Sequence, residues 1–130
     1  MERSPHACAI VAGERRLSYA QWFEAIRALA GGLESIGLKH GDHLAIACQN
    51  RWEMASLHWA CQFLGIIVTP LNWRSKPDEL DYCLADSQAR ALVFDQSCAQ
   101  AVASSERAQA IVRITIDAGL PASHDFEELL

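Results

Sequence analysis

Apolar residues in this chain fall into short runs separated by longer stretches with helical spacing. The opening "ACAIVAGERRLSY" has an apolar run, a Gly13-Glu14 turn and a second short run, which predicts a β-hairpin with arms of about five residues. Tyr19, Trp22, Phe23, Ile26, Leu29, Leu33 and Ile36 then recur mainly at steps of three and four. That is the signature of an amphipathic helix. Ser18 with Gln21 three places later matches a capping box at its start. Gly37 closes it at a left-handed position, where a missing Cβ costs least.

The next run, Leu44 to Cys48 in "HLAIACQN", reads as a short buried strand. Asn50 with Glu53 suits a second cap, opening a helix from Arg51 to Leu64 whose Trp52, Ala55, Trp59, Phe63 and Leu64 fall largely on one face, with Gly65 at its end. "IIVT" is too short and too β-branched for a helix and becomes another strand, ended by Pro70. Pro77 lacks an N–H to donate, a loss tolerated in the first turn of a helix, and Ser75 with Asp78 would supply the cap and the charge at the positive end of the dipole. "SKPDEL" is therefore a helix start, continuing to about Ala85. A strand "RALVFD", a helix around Ser97 to Ala108 and a strand "AIVRITI" complete the pattern. Strands alternating with helices in this way predict an α/β fold: three layers, a mainly parallel sheet with helices on both faces, plus the N-terminal β-hairpin.

Composition narrows the class of function. The charge of −5, with both signs mixed along the chain, offers no basic stripe for phosphates, so nucleic acid is not an expected partner. The longest apolar stretch, Phe63 to Val68, is far short of the roughly 20 residues that span a bilayer. The stretch "MERSPHACAIVAG" has Glu2 and no apolar core before a small-residue cleavage site, which predicts a cytoplasmic protein without a secretion signal. The five cysteines are widely spaced and form no C-x-x-C pair, so most of them read as small core hydrophobes.

Neither G-x-G-x-x-G nor G-x-x-x-x-G-K-[ST] occurs, and Gly31-Gly32 lies within the first helix, where it reads as close helix packing. The histidines never form H-E-x-x-H, and Ser56, Ser87 and Ser97 lack a G-x-S-x-G elbow. Asp78, Glu79 and Asp81 suit the first turn of a helix better than a metal or an acid–base site. The residues alone therefore give no catalytic group and no metal site.

Two stretches go beyond a generic pattern. "RRLSYAQWFEAIRALAGGLESIGLKHGDHLAIACQN" and "FLGIIVTPLNWRSKPDELDYCLADSQARALVFD" resemble, in order and spacing, the opening of adenylate-forming (AMP-binding) enzymes, with the acyl-CoA synthetase branch the best fit. The resemblance runs from about Ala9 to Asp117. It implies that residues 1–130 are the N-terminal subdomain of such a ligase: a hairpin and first helix at about 8–37, a βαβ unit at about 43–117 and a tail at 118–130.

The implied reaction has two steps. A carboxylate attacks the α-phosphate of ATP with Mg²⁺, giving an acyl-adenylate and pyrophosphate; the thiol of coenzyme A then displaces AMP. The family's phosphate loop, its later acidic and arginine residues and its mobile-domain lysine are expected beyond Leu130. The chain is thus expected to hold no cofactor and to be inactive alone. Its expected partners are the remainder of the ligase, through which the carboxylic acid is bound, and a second copy of itself, through Trp22, Phe23 or Ile26 left facing outward.

Arg74 is the one site residue the resemblance carries across, as a group near a phosphate of coenzyme A, which a guanidinium's fork of donors suits. A surface ion pair with Asp78 or Glu79 is the alternative for that side chain. Trp73 and Lys76 depart from the proline and the capping hydroxyl frequent in the family. Two other functions are open: an autonomous flavodoxin-like nucleotide- or ligand-binding module, and a non-catalytic interaction domain.

Overall fold

The computed structural model describes residues 4–130; Met1 to Arg3, part of the stretch read above for a secretion signal, lie outside the described residues. Strands β1 (Cys8–Ala12) and β2 (Arg15–Ser18) pair antiparallel as the expected hairpin. Its turn contains Gly13 at φ 62°. Helix α1 (Tyr19–Ser35) starts with the complete capping box: the Gln21 N–H donates to Ser18 Oγ at 3.1 Å, and the Ser18 N–H to Gln21 Oε1 at 2.8 Å. Two of the orphan donors at the helix start are thereby satisfied.

Five further strands form one parallel sheet: β3 (His43–Ala47), β4 (Ile67–Pro70), β5 (Ala91–Phe94), β6 (Val112–Thr115) and β7 (His124–Asp125). Their spatial order is β4-β3-β5-β6-β7, with the direction of winding reversing between β3 and β5. In register, Ile46 lies opposite Val93, and Val93 opposite Ile114. Side chains alternate between the two faces of a strand, so each strand feeds two cores. One face carries Leu44, Ile46, Ala91, Val93 and Ile114 and is covered by α1, α2 (Trp52–Leu64) and α6 (Phe126–Leu129). The other carries Ala45, Ala47, Leu92 and Phe94 beneath α3 (Pro77–Ser87), α4 (Ala99–Ser104) and α5 (Glu106–Gln109). The three layers, the parallel sheet and the separate hairpin are those expected.

Several local expectations are corrected. The start of α2 is not capped by Asn50: Arg51 is the N-cap residue, and no side chain caps it. Helix α3 begins after Lys76 rather than Ser75, with the Lys76 N–H donating to Glu79 Oε1 at 3.1 Å. Ser75 Oγ instead donates to the Asn72 carbonyl at 2.6 Å, so its hydroxyl closes the preceding turn. The single helix expected over 97–108 is a 3₁₀ turn (Gln96–Cys98) followed by α4 and α5, divided at Ser105, whose φ −90° and ψ 117° are extended. Ser105 is fully buried, takes the Ala108 N–H and donates to Asp81 Oδ1 at 2.6 Å. That local competition for the backbone explains the break.

The segment 118–130 also enters the fold. It supplies β7 and α6, with Phe126 fully buried against Trp52 in an edge-to-face pair at 5.7 Å. Of the two glycines read as a packing pair, only Gly32 makes a close contact: a Cβ there would overlap the backbone of Leu129, while Gly31 has open space. The outer face of α2 also differs in role. The helix buries Leu57, Ala60 and Cys61, and leaves Trp59 and Phe63 exposed.

Candidate functional site

Parallel sheets bind ligands outside the carboxyl ends of their strands, at the point where the winding reverses. Here that point lies beyond β3 and β5, and it is occupied by the chain's own charges. Arg51, two residues after Gln49 at the exit of β3, places Nη1 2.8 Å from Asp117 Oδ1 and 3.7 Å from Asp95 Oδ2, with Nη2 3.1 Å from Glu53 Oε2. Asp95 directly follows β5, and Asp117 is the second residue after β6. The carboxylates also take backbone donors: Gln49 N–H and Ser97 N–H donate to Asp95 at 3.2 and 3.1 Å, and Gln96 N–H to Asp117 at 2.8 Å. Ser97 Oγ makes a further short hydrogen bond to Asp95.

The electrostatics follow from this geometry. Partial burial works to raise the Asp117 carboxyl, but the Gln96 N–H and the Arg51 guanidinium hold it below the usual aspartate value. Arg51 is likewise partly desolvated, yet its bond to Asp117 and the charges of Glu53, Asp117 and Asp95 hold it above its ordinary value. Burial first, and then the charge of Asp95, push the neighbouring Cys48 thiol up to about 12. It is an inert core group. Glu53, almost buried, leaves Oε1 without a hydrogen-bond partner. Among the described residues no group of three or more His, Cys, Asp or Glu side chains is arranged to hold a metal ion.

Beside this cluster lies an open groove of about 360 Å³ between the β4–α3 loop and α4. Trp73, Arg74 and Lys76 line one wall, and Ser97, Gln100 and Ser104 the other. The Asn72 side chain shapes the loop by accepting the Arg74 N–H at 2.9 Å. Arg74, exposed, makes no ion pair with Asp78 or Glu79; its guanidinium stacks 4.6 Å over the Trp73 ring. The acidic trio divides: Glu79 caps α3, and Asp81, held below the usual value by Ser105 Oγ and then the Arg107 N–H, ties α3 to α5.

A second groove, of about 350 Å³, runs between α1 and α2 and is lined by Tyr19, Trp22, Phe23, Ile26, Trp59 and Phe63. Of the three residues expected to face outward, Ile26 is buried, while Trp22 and Phe23 are half-buried. Trp22 Nε1 donates to Ser56 Oγ at 2.8 Å, and Phe23 meets Phe63 edge-on at 6.2 Å.

The charged switch point was not singled out from sequence. Its trace is an aspartate at the exit of two successive apolar strands, "LVFD" and "RITID", with an arginine at the exit of a third, "IACQNR".

A parallel sheet of this order, with polar groups gathered at its carboxyl edge, defines a doubly wound α/β protein. The chain matches the AMP-binding enzyme family over residues 1–128 and belongs to that family. A feruloyl-CoA synthase from Amycolatopsis is 37% identical over 101 residues, which are 78% of this chain and 21% of that protein. An o-succinylbenzoate coenzyme A synthetase from Bacillus subtilis, solved in complex with AMP, is 28% identical with a TM-score of 0.77, over 98% of this chain and 30% of that one. An anthranilate CoA ligase with bound anthranoyl-AMP shares the fold at a TM-score of 0.89 and 19% identity, over 99% of this chain and 26% of its own. The chain spans about a fifth of the length of the curated relatives it matches first. Among the described residues no helix is long and apolar enough to cross a membrane.

Proposed function

We propose that the chain is the N-terminal scaffold of an AMP-forming carboxylic acid–CoA ligase, acting in the cytoplasm where ATP and coenzyme A are pooled. The observation that carries this reading is the family match over 1–128, joined to relatives that are named CoA synthases and ligases and are several times longer. In the whole enzyme, ATP with Mg²⁺ would activate the carboxylic acid as its adenylate, and coenzyme A would receive the acyl group. The 130 residues here supply the platform: a parallel sheet whose carboxyl edge is tied internally, with a groove at its side. The remainder of the ligase supplies the groups that handle the phosphates of ATP, and the chain alone is inactive.

This is tested by acid-dependent ATP–pyrophosphate exchange with a panel of aromatic and aliphatic acids. The 130-residue chain is expected to give none, and its fusion to the remaining part of a related CoA ligase is expected to give acid-dependent exchange. Turnover by the chain alone, or silence of a folded fusion with every acid, overturns the reading.

Within the scaffold, Arg74 meets a phosphate of coenzyme A. The support is an exposed guanidinium, free of ion pairs among the described residues, in a groove that also holds Lys76 and the polar side chains of Ser75, Ser97, Gln100 and Ser104. Adenosine 3′,5′-bisphosphate, which carries the phosphates at that end of coenzyme A, is expected to bind the chain weakly, with Arg74→Ala reducing the affinity about tenfold, as the loss of one charge-assisted contact predicts. Equal binding by the two proteins would remove Arg74 from this role.

The flavodoxin-like reading is less well supported, because the amides that would face an anion at the switch point already donate to Asp95 and Asp117. The interaction reading has the α1–α2 groove in its favour, and self-association through it is part of this proposal.

A further inference from the structure

Three segments leave the carboxyl edge of the sheet at and beside its reversal point, and one side chain connects them. Arg51 belongs to the loop after β3, Asp95 to the loop after β5, and Asp117 to the segment after β6. Asp95 in turn holds Ser97 by its N–H at 3.1 Å and by its hydroxyl, and Ser97 is a wall residue of the groove that contains Arg74. Asp117 holds the Gln96 N–H at 2.8 Å, one residue before it. The guanidinium is therefore two contacts removed from the groove.

We infer that Arg51 is a positioning residue: by bridging Asp95 and Asp117 it locks the Gln96–Ser97 segment, whose Ser97 walls the Arg74 groove, against the exit of β3. A fork of donors suits this because it reaches separate carboxylates from one planar group. The arrangement is partly buried, with the Arg51 side chain 31% exposed and Asp95 only 4%, so the ties are screened less than surface pairs. Loss of the guanidinium would leave Asp95 and Glu53 as almost buried charges without a cation, and the loops that carry them would open toward water. The charged and titratable groups that face Arg51 are Glu53 from α2, Asp95 and Asp117 from the two strand exits, and the Cys48 thiol at the end of β3.

This deepens the reading of the groove given above, and its test is built to fail separately. Amide hydrogen exchange in the unliganded chain needs no ligand, whereas the Arg74 reading stands or falls on adenosine bisphosphate binding. In Arg51→Met, the Gln49, Gln96 and Ser97 amides are expected to exchange at least tenfold faster, while Ile46 and Val93 in the central strands keep their rates. Unchanged loop amides, or equal acceleration in loops and strands, overturns the inference. The unmodified chain carries a second test, which also covers a variant that does not fold. Asp117 is held below its ordinary value of 3.8, so its contribution is present above that pH and is lost as pH falls through the lower folded value. The protection factor of Gln96, whose N–H Asp117 holds, is expected to fall in that acid range before those of Ile46 and Val93. Simultaneous loss, or the reverse order, overturns it.

Discussion

Gly31 and Gly32 occupy consecutive positions of one helix and have opposite prospects. At Gly32 the backbone of Leu129 sits where a Cβ would be, because α6 crosses α1 at that point. Main chain cannot swing aside as a flexible side chain does, so α6 would have to shift with Phe126 and Leu129 attached. Gly32→Ala is expected to destabilise the chain by about 1–3 kcal/mol, the range for overpacking a filled site. Gly31 has nothing within 4 Å of its added Cβ and is helical, so Gly31→Ala is expected to stabilise by up to about 1 kcal/mol through helix propensity. Urea midpoints at constant slope measure both, and a fall in midpoint for Gly31→Ala as large as that for Gly32→Ala would refute the assignment.

Elements were legible where spacing and local chemistry agreed, and obscure where tertiary partners decided. The hairpin, α1 with its Ser18–Gln21 box, and strands β3 to β6 all announce themselves within a window of a dozen residues. The division of α4 from α5 does not, since it depends on Ser105 finding Asp81 on another helix, 24 positions away. Strand β7 is two residues long, below any periodic signal, and is a strand only because β6 lies beside it. The same holds for the candidate site. Arg74 enters only through the resemblance around "PLNWR" and stands as a proposal, while Arg51, Asp95 and Asp117 are 44 and 22 residues apart and meet only when parallel crossovers align three strand exits. For α2, periodicity showed an aromatic face but not its direction: the helix turns Leu57, Ala60 and Cys61 inward and Trp59 and Phe63 outward.

That outward face is where copies of the chain are expected to meet. Tyr19, Trp59 and Phe63 are 43%, 49% and 63% exposed, beside a groove whose other walls are Trp22, Phe23 and Ile26. An aromatic side chain offers about 150–250 Å² for burial, so three that are half exposed present on the order of 300 Å² of apolar surface. A stable interface takes roughly 800 Å² from each partner, so this patch alone supports association that is weak and reversible. Hollow and projecting ring lie on the same face, which suits a two-fold pair in which Phe63 of each copy enters the α1–α2 groove of the other. Sedimentation over a hundredfold range of concentration is therefore expected to show the average mass of the 130-residue chain rising from monomer toward dimer. Phe63→Glu puts a charge at the centre of that contact while leaving the buried face of α2 intact, so the variant is expected to stay monomeric with its unfolding midpoint little changed. A constant monomer mass for the unmodified chain, or a dimer that persists in Phe63→Glu, would mean that this face does not join two copies.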